Sequence, residues 1–323
     1  MNKSAGNFLR VFAWLLTAAL VAFVLLTTDF EVFGRSLRNA DIVSFLTLAL
    51  AFNVGHLVLD SIGVGVLLDR TGVGIPIGRL IPIRAASYLL GFVNYNLGLV
   101  VIAAAAGKGR GVRWQSLVSP FLALNVFDLA VLGTMLLAGL MAGGLPEAPA
   151  AFWPMVAGGA VSALALVVIL IVSWSRFGGS KGFTAGFLDT FRALDGKTVV
   201  IVLLLRSVLL LTDAGGDLLM LRTFNLDIPV EVFARFFPVD SFACVLPVTI
   251  AGIGPTMVLM RLFFAPLSPA AAGGVSAVDA FSVSATTSLV LIRTVLALAC
   301  MPVISSLFRK NRGKADGSGK STG

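Results

Sequence analysis

The stretch Glu231–Pro266, EVFARFFPVDSFACVLPVTIAGIGPTMVLMRLFFAP, is too apolar for a soluble loop and too often interrupted for one spanning helix. Pro238, Pro247, Gly252, Gly254 and Pro255 break it, and helix-interior prolines remove backbone hydrogen bonds and kink or end the helix. Two shorter helical pieces meeting at Ala251–Pro255 fit this pattern. Backbone freed at such a junction cannot face lipid, so it must be buried in protein or line a wet cavity. Arg235, Asp240 and Arg261 lie in the same stretch, where charge is costly and usually functional.

Working outward, the composition agrees with a membrane setting. Of the 323 residues, 58% are hydrophobic and 12% charged, and the mean hydropathy is +0.98. That profile excludes an ordinary soluble domain. The net charge of +8 would point to nucleic acid in a soluble protein. Here the basic residues flank apolar runs, which is the positive-inside pattern and implies no nucleic-acid partner. Cys244 and Cys300 sit in apolar runs as small hydrophobes. His56 is the only histidine, so a multi-histidine zinc site is excluded. The reading expects no cofactor and no metal.

Spanning helices are expected at about 8–28, 42–68, 116–142, 152–174, 198–221 and 281–307, each long enough for a hydrocarbon core of ~30 Å. Segments 80–106 and 231–265 do not read as simple crossings. The first carries Arg84 near its start and Asn94-Tyr95-Asn96-Leu97-Gly98 at its centre, a polar tip suited to a re-entrant hairpin. With both hairpins returning to the side they entered, sixteen of the 24 Lys and Arg fall on one side. Only Arg35, Arg38 and Arg222 fall on the other. Arg84, Arg206, Arg235, Arg261 and Arg293 lie within apolar segments. The fold expected is an all-α polytopic membrane protein: about six spanning helices and two broken or re-entrant hairpins in an inverted repeat.

That places an integral membrane domain at 1–308, with halves 1–143 and 152–308, and a disordered cytoplasmic tail at 309–323. The bias puts both termini in the cytoplasm and the chain in a bacterial inner membrane. The tail ends in Gly317-Ser318-Gly319-Lys320-Ser321-Thr322, which imitates a phosphate-binding loop. Lys314 stands where the first glycine belongs, and no strand–loop–helix context surrounds it. No ATPase is inferred.

The polar residues inside apolar runs are the candidates for function. Asn53, His56 and Asp60 recur at i, i+3 and i+7, one face of a helix. Arg206, Asp213 and Asp217 share another face, with Gly215-Gly216 read as loosening that helix. Asn125 and Asp128 form a third. The plain alternative is interhelical hydrogen bonding, worth ~0.6–2 kcal/mol each. His56, Asp60, Asp213 and Asp217 are the candidates for ion coupling, because close carboxylates in low dielectric share a proton or hold a cation. Arg84, Asn94, Asn96, Arg235, Asp240, Arg261 and Arg293 are the candidates for binding substrate. The intramembrane bases are all arginine, whose planar fork suits phosphate or carboxylate.

Three short motifs carry a family resemblance: Tyr95-Asn96-Leu97-Gly98 before a basic loop, Leu246-Pro-Val-Thr-Ile-Ala-Gly-Ile-Gly254, and Leu291-Ile292-Arg293 in the last helix. Together they resemble the transmembrane region of lysylphosphatidylglycerol synthases, also called the flippase-like or UPF0104 family. The family usually has an acid after the first hairpin's glycine and an arginine three residues later, where this chain has Leu99 and Ile102. Met257 stands near the place of a further glutamate. The resemblance implies a non-enzymatic membrane domain that moves a lipid or amphiphile with an anionic or zwitterionic head group between leaflets. Membrane lipids are then its partners, with an envelope-lipid enzyme as a possible second. The alternative is a non-transporting scaffold assisting envelope-lipid or glycan synthesis. The sequence leaves the oligomeric state open.

Overall fold

The computed structural model describes residues 40–91, 114–143, 190–245, 253–264 and 277–317, with the single residues 161, 168 and 267. These residues are helical, with no strand among them. The helices are α1 (Ile42–Arg70), α2 (Ile77–Gly91), α3 (Trp114–Gly143), α4 (Gly196–Arg222), α5 (Val230–Val245), α6 (Ile253–Phe264) and α7 (Ala277–Gly317). Among the described residues, four segments are long and apolar enough to cross a membrane: Ile42–Arg70, Ser119–Gly139, Gly196–Arg222 and Ala277–Pro302. They match four of the expected spans. The other two, 8–28 and 152–174, lie outside the described residues apart from Val161 and Val168.

Helices α1 and α4 begin alike. The Asp41 carboxylate accepts from the Ser44 N–H at 3.1 Å, and the Asp195 carboxylate accepts from the Thr198 N–H at 2.8 Å. Each cap satisfies a donor that the first helical turn leaves open. Hydrogen bonds from the Ser44 side chain and its N–H hold the Asp41 carboxyl below its ordinary range.

The two helices pack antiparallel along their lengths. The Asp41 N–H donates to the Thr223 carbonyl at 2.9 Å, while at the opposite end Arg70 lies 3.7 Å from Asp195. Between these ends Phe52 meets Gly216 so closely that an added Cβ would stand 2.6 Å from its ring. Nothing lies within 4 Å of the same position on Gly215. The glycine pair therefore does not simply loosen α4, because Gly216 makes room for a helix crossing.

The other directions follow from contacts. Thr190 donates to Ser119 at 2.7 Å, which sets the start of α3 at the Arg70 end. Gly139, near the other end of α3, lies against the Ala234 carbonyl of α5. Phe281 of α7 meets Phe224 edge-on at 5.5 Å, so α7 starts at the Thr223 end. Helix α2 enters from the Arg70 end and α5 from the Thr223 end.

Phe236, early in α5, packs on Phe264, the last residue of α6, at 4.5 Å. Helices of 16 and 12 residues thus form an antiparallel hairpin, each arm shorter than the ~20 residues a crossing requires. Pro238 does not break α5, which runs through it; of the expected junction, Ile253, Gly254 and Pro255 form the first turn of α6, and Pro247, Ala251 and Gly252 lie outside the described residues. The tip of the first hairpin, with Asn94 and Asn96, lies outside the described residues. Helix α7 continues through Gly317, past position 309 where the tail was expected to begin.

Two apolar cores occupy the ends of the bundle. One gathers Phe45, Leu221, Phe236, Phe264 and Phe281 at the Thr223 end, and the other Leu67, Leu80, Phe121, Phe127 and Phe191 at the Arg70 end. The outward faces are apolar as well: Val43, Leu46, Leu50, Val54 and Val58 on α1, and Val200, Leu204, Val208 and Leu211 on α4, are exposed. A helix bundle apolar outside and polar at mid-depth is built for lipid surroundings.

Candidate functional site

The polar face of α1 is the spine of the interior. Asp60, 1% exposed, receives Arg84 Nε from α2 and Arg206 Nη1 from α4 at 2.7 Å. Arg206 also grips Asp128 of α3 with two parallel bonds, through Nε and through Nη2 at 2.5 Å. Gly63, one turn along α1, leaves the space beside this guanidinium, its missing Cβ being 3.6 Å from Nη1. Two carboxylates and two guanidinia from four helices thus neutralise one another. Bidentate, charge-assisted geometry is what a buried ion pair needs to offset desolvation.

The next turns of α1 toward the Thr223 end carry a second cluster of different character. His56 Nδ1 lies 2.8 Å from Asp213 Oδ2, with side chains 20% and 25% exposed. Asp217, one turn further along α4, stands within electrostatic reach of Asp213, Asp240 and Arg293. Asp240 of α5 accepts a hydrogen bond from Thr256 of α6, and its Oδ1 is buried with no partner among the described residues. Arg293 of α7 donates from Nε to Asn53 Oδ1 at 3.1 Å and lies 4.9 Å over the Tyr88 ring. Among the described residues, this cluster sets three acids, Asp213, Asp217 and Asp240, beside one fixed cation, Arg293. Among the described residues no three His, Cys, Asp or Glu side chains form a metal-binding group.

The candidates from sequence therefore separate. His56, Asp60, Arg84, Asp213, Asp217, Asp240 and Arg293 converge in these two layers. Arg235 is buried but donates to the Glu231 carbonyl at 2.9 Å and packs beside Gly139. Arg261 is 65% exposed and pairs with Asp279 at the start of α7, so it ties the second hairpin to the bundle's surface. Tyr88 escaped the sequence reading. It follows Arg84 by four residues and so shares its helix face, and that spacing is the signal in the sequence that points to it. The structure places its ring between Arg84, at 5.8 Å, and Arg293.

No curated protein and no solved structure matches the chain. The sequence does match a family model, over residues 10–299, described as the lysylphosphatidylglycerol synthase TM region. That span takes in α1 to α6, the first part of α7 and both polar layers. A helical membrane protein with these features, matched over nearly its whole length, belongs to the lysylphosphatidylglycerol synthase TM-region family.

Proposed function

We propose that this chain moves a lipid or amphiphile with an anionic or zwitterionic head group from one leaflet to the other. The observation that carries the reading is the second polar layer, where acids outnumber fixed cations inside a bundle that is apolar outside. Unneutralised charge at membrane depth is expensive and persists where a ligand or ion supplies the balance. Family membership points the same way, toward lipid chemistry.

The finer architecture belongs to the same proposal: six spans in two inverted halves, 1–143 and 152–308, both termini cytoplasmic, in a bacterial inner membrane. Several contacts support the inversion. Helices α1 and α4, each opened by an aspartate cap, run antiparallel. Helix α2 packs on α7 as α5 packs on α3. The α4–α3 contact Arg206–Asp128 has a counterpart in the α1–α7 contact Asn53–Arg293. Inverted halves meeting at a mid-membrane site are the common plan of secondary transporters.

Asp213 and Asp217, with His56 on the first, are the residues we assign to ion coupling, since protonating one relieves repulsion and biases the helix they share. We assign no enzymatic step to the chain, and its partners are membrane lipids. The rival reading, a scaffold for an envelope-lipid enzyme, draws on the first polar layer, whose charges are already balanced. Proteoliposomes containing this protein alone discriminate the two: dithionite quenching of a fluorescent phospholipid reports leaflet exchange. Exchange above that of protein-free vesicles is the expected result, and a scaffold gives none.

A further inference from the structure

We infer, resting on the translocation reading above, that the ion coupled to transport is a proton, taken up at His56 Nε2 while His56 Nδ1 stays bonded to Asp213.

The pair bridges two antiparallel helices beside their closest crossing. His56 follows Phe52 by four residues on α1, and Asp213 precedes Gly216 by three on α4. Each therefore lies one turn from the point where that ring meets that glycine. The imidazole Nδ1 stands 3.1 and 2.8 Å from the two carboxylate oxygens. A carboxylate only accepts, so Nδ1 carries the hydrogen of this bond and Nε2 holds the lone pair. Unlike the sealed Asp60, both side chains are partly exposed. Ionisable groups accessible at membrane depth face a water-filled cavity rather than lipid.

The neighbouring groups leave His56 as the site of exchange. Asp60 and Asp128 lie within its electrostatic reach and are already paired with Arg84 and Arg206. From α2 the Tyr88 ring lies 6.4 Å away, and from α7 Arg293 is bonded to Asn53, one turn along α1. Asp217 stands one turn beyond Asp213 on α4. Histidine is the side chain that ordinarily exchanges protons near neutral pH, and this one is the only histidine in the chain. Sodium fits the pair poorly. Hard cations take oxygen ligands, and both oxygens of Asp213 already face a donor N–H.

In the step itself the Nε2 lone pair takes a proton from a hydronium ion, forming an N–H bond and leaving water. Release to water reverses it. The pair passes from one net negative charge to none, which gives the α1–α4 crossing two electrostatic states for a gradient to choose between.

The test begins with magnetic resonance of the full-length protein, made with isotope-labelled histidine and no histidine tag, so that one imidazole is observed. Nδ1 is expected to stay protonated while Nε2 gains its proton as the buffer goes from about pH 8 to about pH 5. Sodium chloride added at fixed pH should move neither signal. An imidazole protonated only at Nε2, or one that moves with sodium, overturns the assignment. In Asp213→Asn the preference for a protonated Nδ1 should disappear, since an amide also donates; a spectrum like that of wild type overturns the pairing. In proteoliposomes, a gradient of about one pH unit biases a proton-coupled step by up to about tenfold. Wild-type leaflet exchange should respond to that gradient and ignore a sodium gradient. His56→Gln still donates to Asp213 but has no nitrogen to titrate, so it should unfold near the wild-type temperature and lose the pH response. A response to sodium alone, or a pH response in His56→Gln equal to that of wild type, would discard the proton site and keep translocation. The expected spectra without leaflet exchange would keep the proton-binding pair and discard translocation.

Discussion

The two polar layers follow one another along α1 and α4, and they solve the problem of buried charge in opposite ways. In the layer around Asp60, each carboxylate meets a guanidinium, and the set sums to zero. In the layer around Asp217, that carboxyl interacts with Asp213 and Asp240 as well as with Arg293, and Arg293 makes its hydrogen bond to a neutral amide. Exposure follows the same division, 1% for the Asp60 side chain against 25% for Asp213. Charge neutralised by the protein holds helices together, whereas charge left over is available to something that comes and goes.

Removing a partner from the balanced layer should therefore have the largest effect on stability. Asp60→Ala leaves Arg84 without its carboxylate and strips Arg206 of one of two, a loss of about 3–5 kcal/mol. The check is thermal unfolding and the yield of monodisperse protein in detergent. A well-folded Asp60→Ala protein would erase the contrast between the layers.

The helix crossing that aligns the two layers comes next. Gly216→Ala drives a methyl into the Phe52 ring and should cost about 1–3 kcal/mol, the usual range for overpacking. Gly215→Ala meets nothing and should be neutral or slightly stabilising, since alanine is the better helix former by about 1 kcal/mol. Comparing the two unfolding temperatures isolates the close approach from any general stiffening of α4.

In the unbalanced layer, Asp217→Asn should leave stability unchanged or raise it, because burial and the neighbouring Asp213 and Asp240 disfavour a negative charge there. Its effect should fall on transport, read as leaflet exchange per folded protein. A stability loss as large as that of Asp60→Ala would mean that Asp217 is structural after all.

The smallest effect belongs to the caps. The folded Asp41 carboxyl lies below its ordinary value of 3.8, so its contribution is full above that pH and disappears as pH falls through the depressed folded value. Asp41→Ala should lower the unfolding temperature slightly at neutral pH, with the difference from wild type vanishing in strong acid.

Much of this arrangement was legible in the sequence. The spacing of Asn53, His56 and Asp60 marked one face of a spanning helix, and all three do point inward from α1. The proline and glycine breaks after Asp240 marked a hairpin, and the Phe236–Phe264 contact closes one. Which acid meets which base was not legible, because pairing depends on depth in the membrane and on helix rotation. Arg84 and Arg261 read alike as intramembrane arginines. One is locked to Asp60, and the other lies on the surface with Asp279. Gly216 read as a weakness in its helix because composition cannot show the Phe52 ring opposite. Tyr88 went unnoticed because an aromatic in an apolar run looks like core until two guanidinia are placed over it.

The most direct test of the division between the layers is leaflet exchange of a fluorescent amine-bearing phospholipid in proteoliposomes, measured with and without an imposed pH or sodium gradient. Wild type and Asp213→Asn/Asp217→Asn would be compared at equal amounts of folded protein. The account predicts exchange by wild type that responds to the gradient, and a double variant that is folded but slower by about tenfold or more, a barrier change near 1.4 kcal/mol. Exchange by both proteins at one rate, indifferent to the gradient, would contradict it.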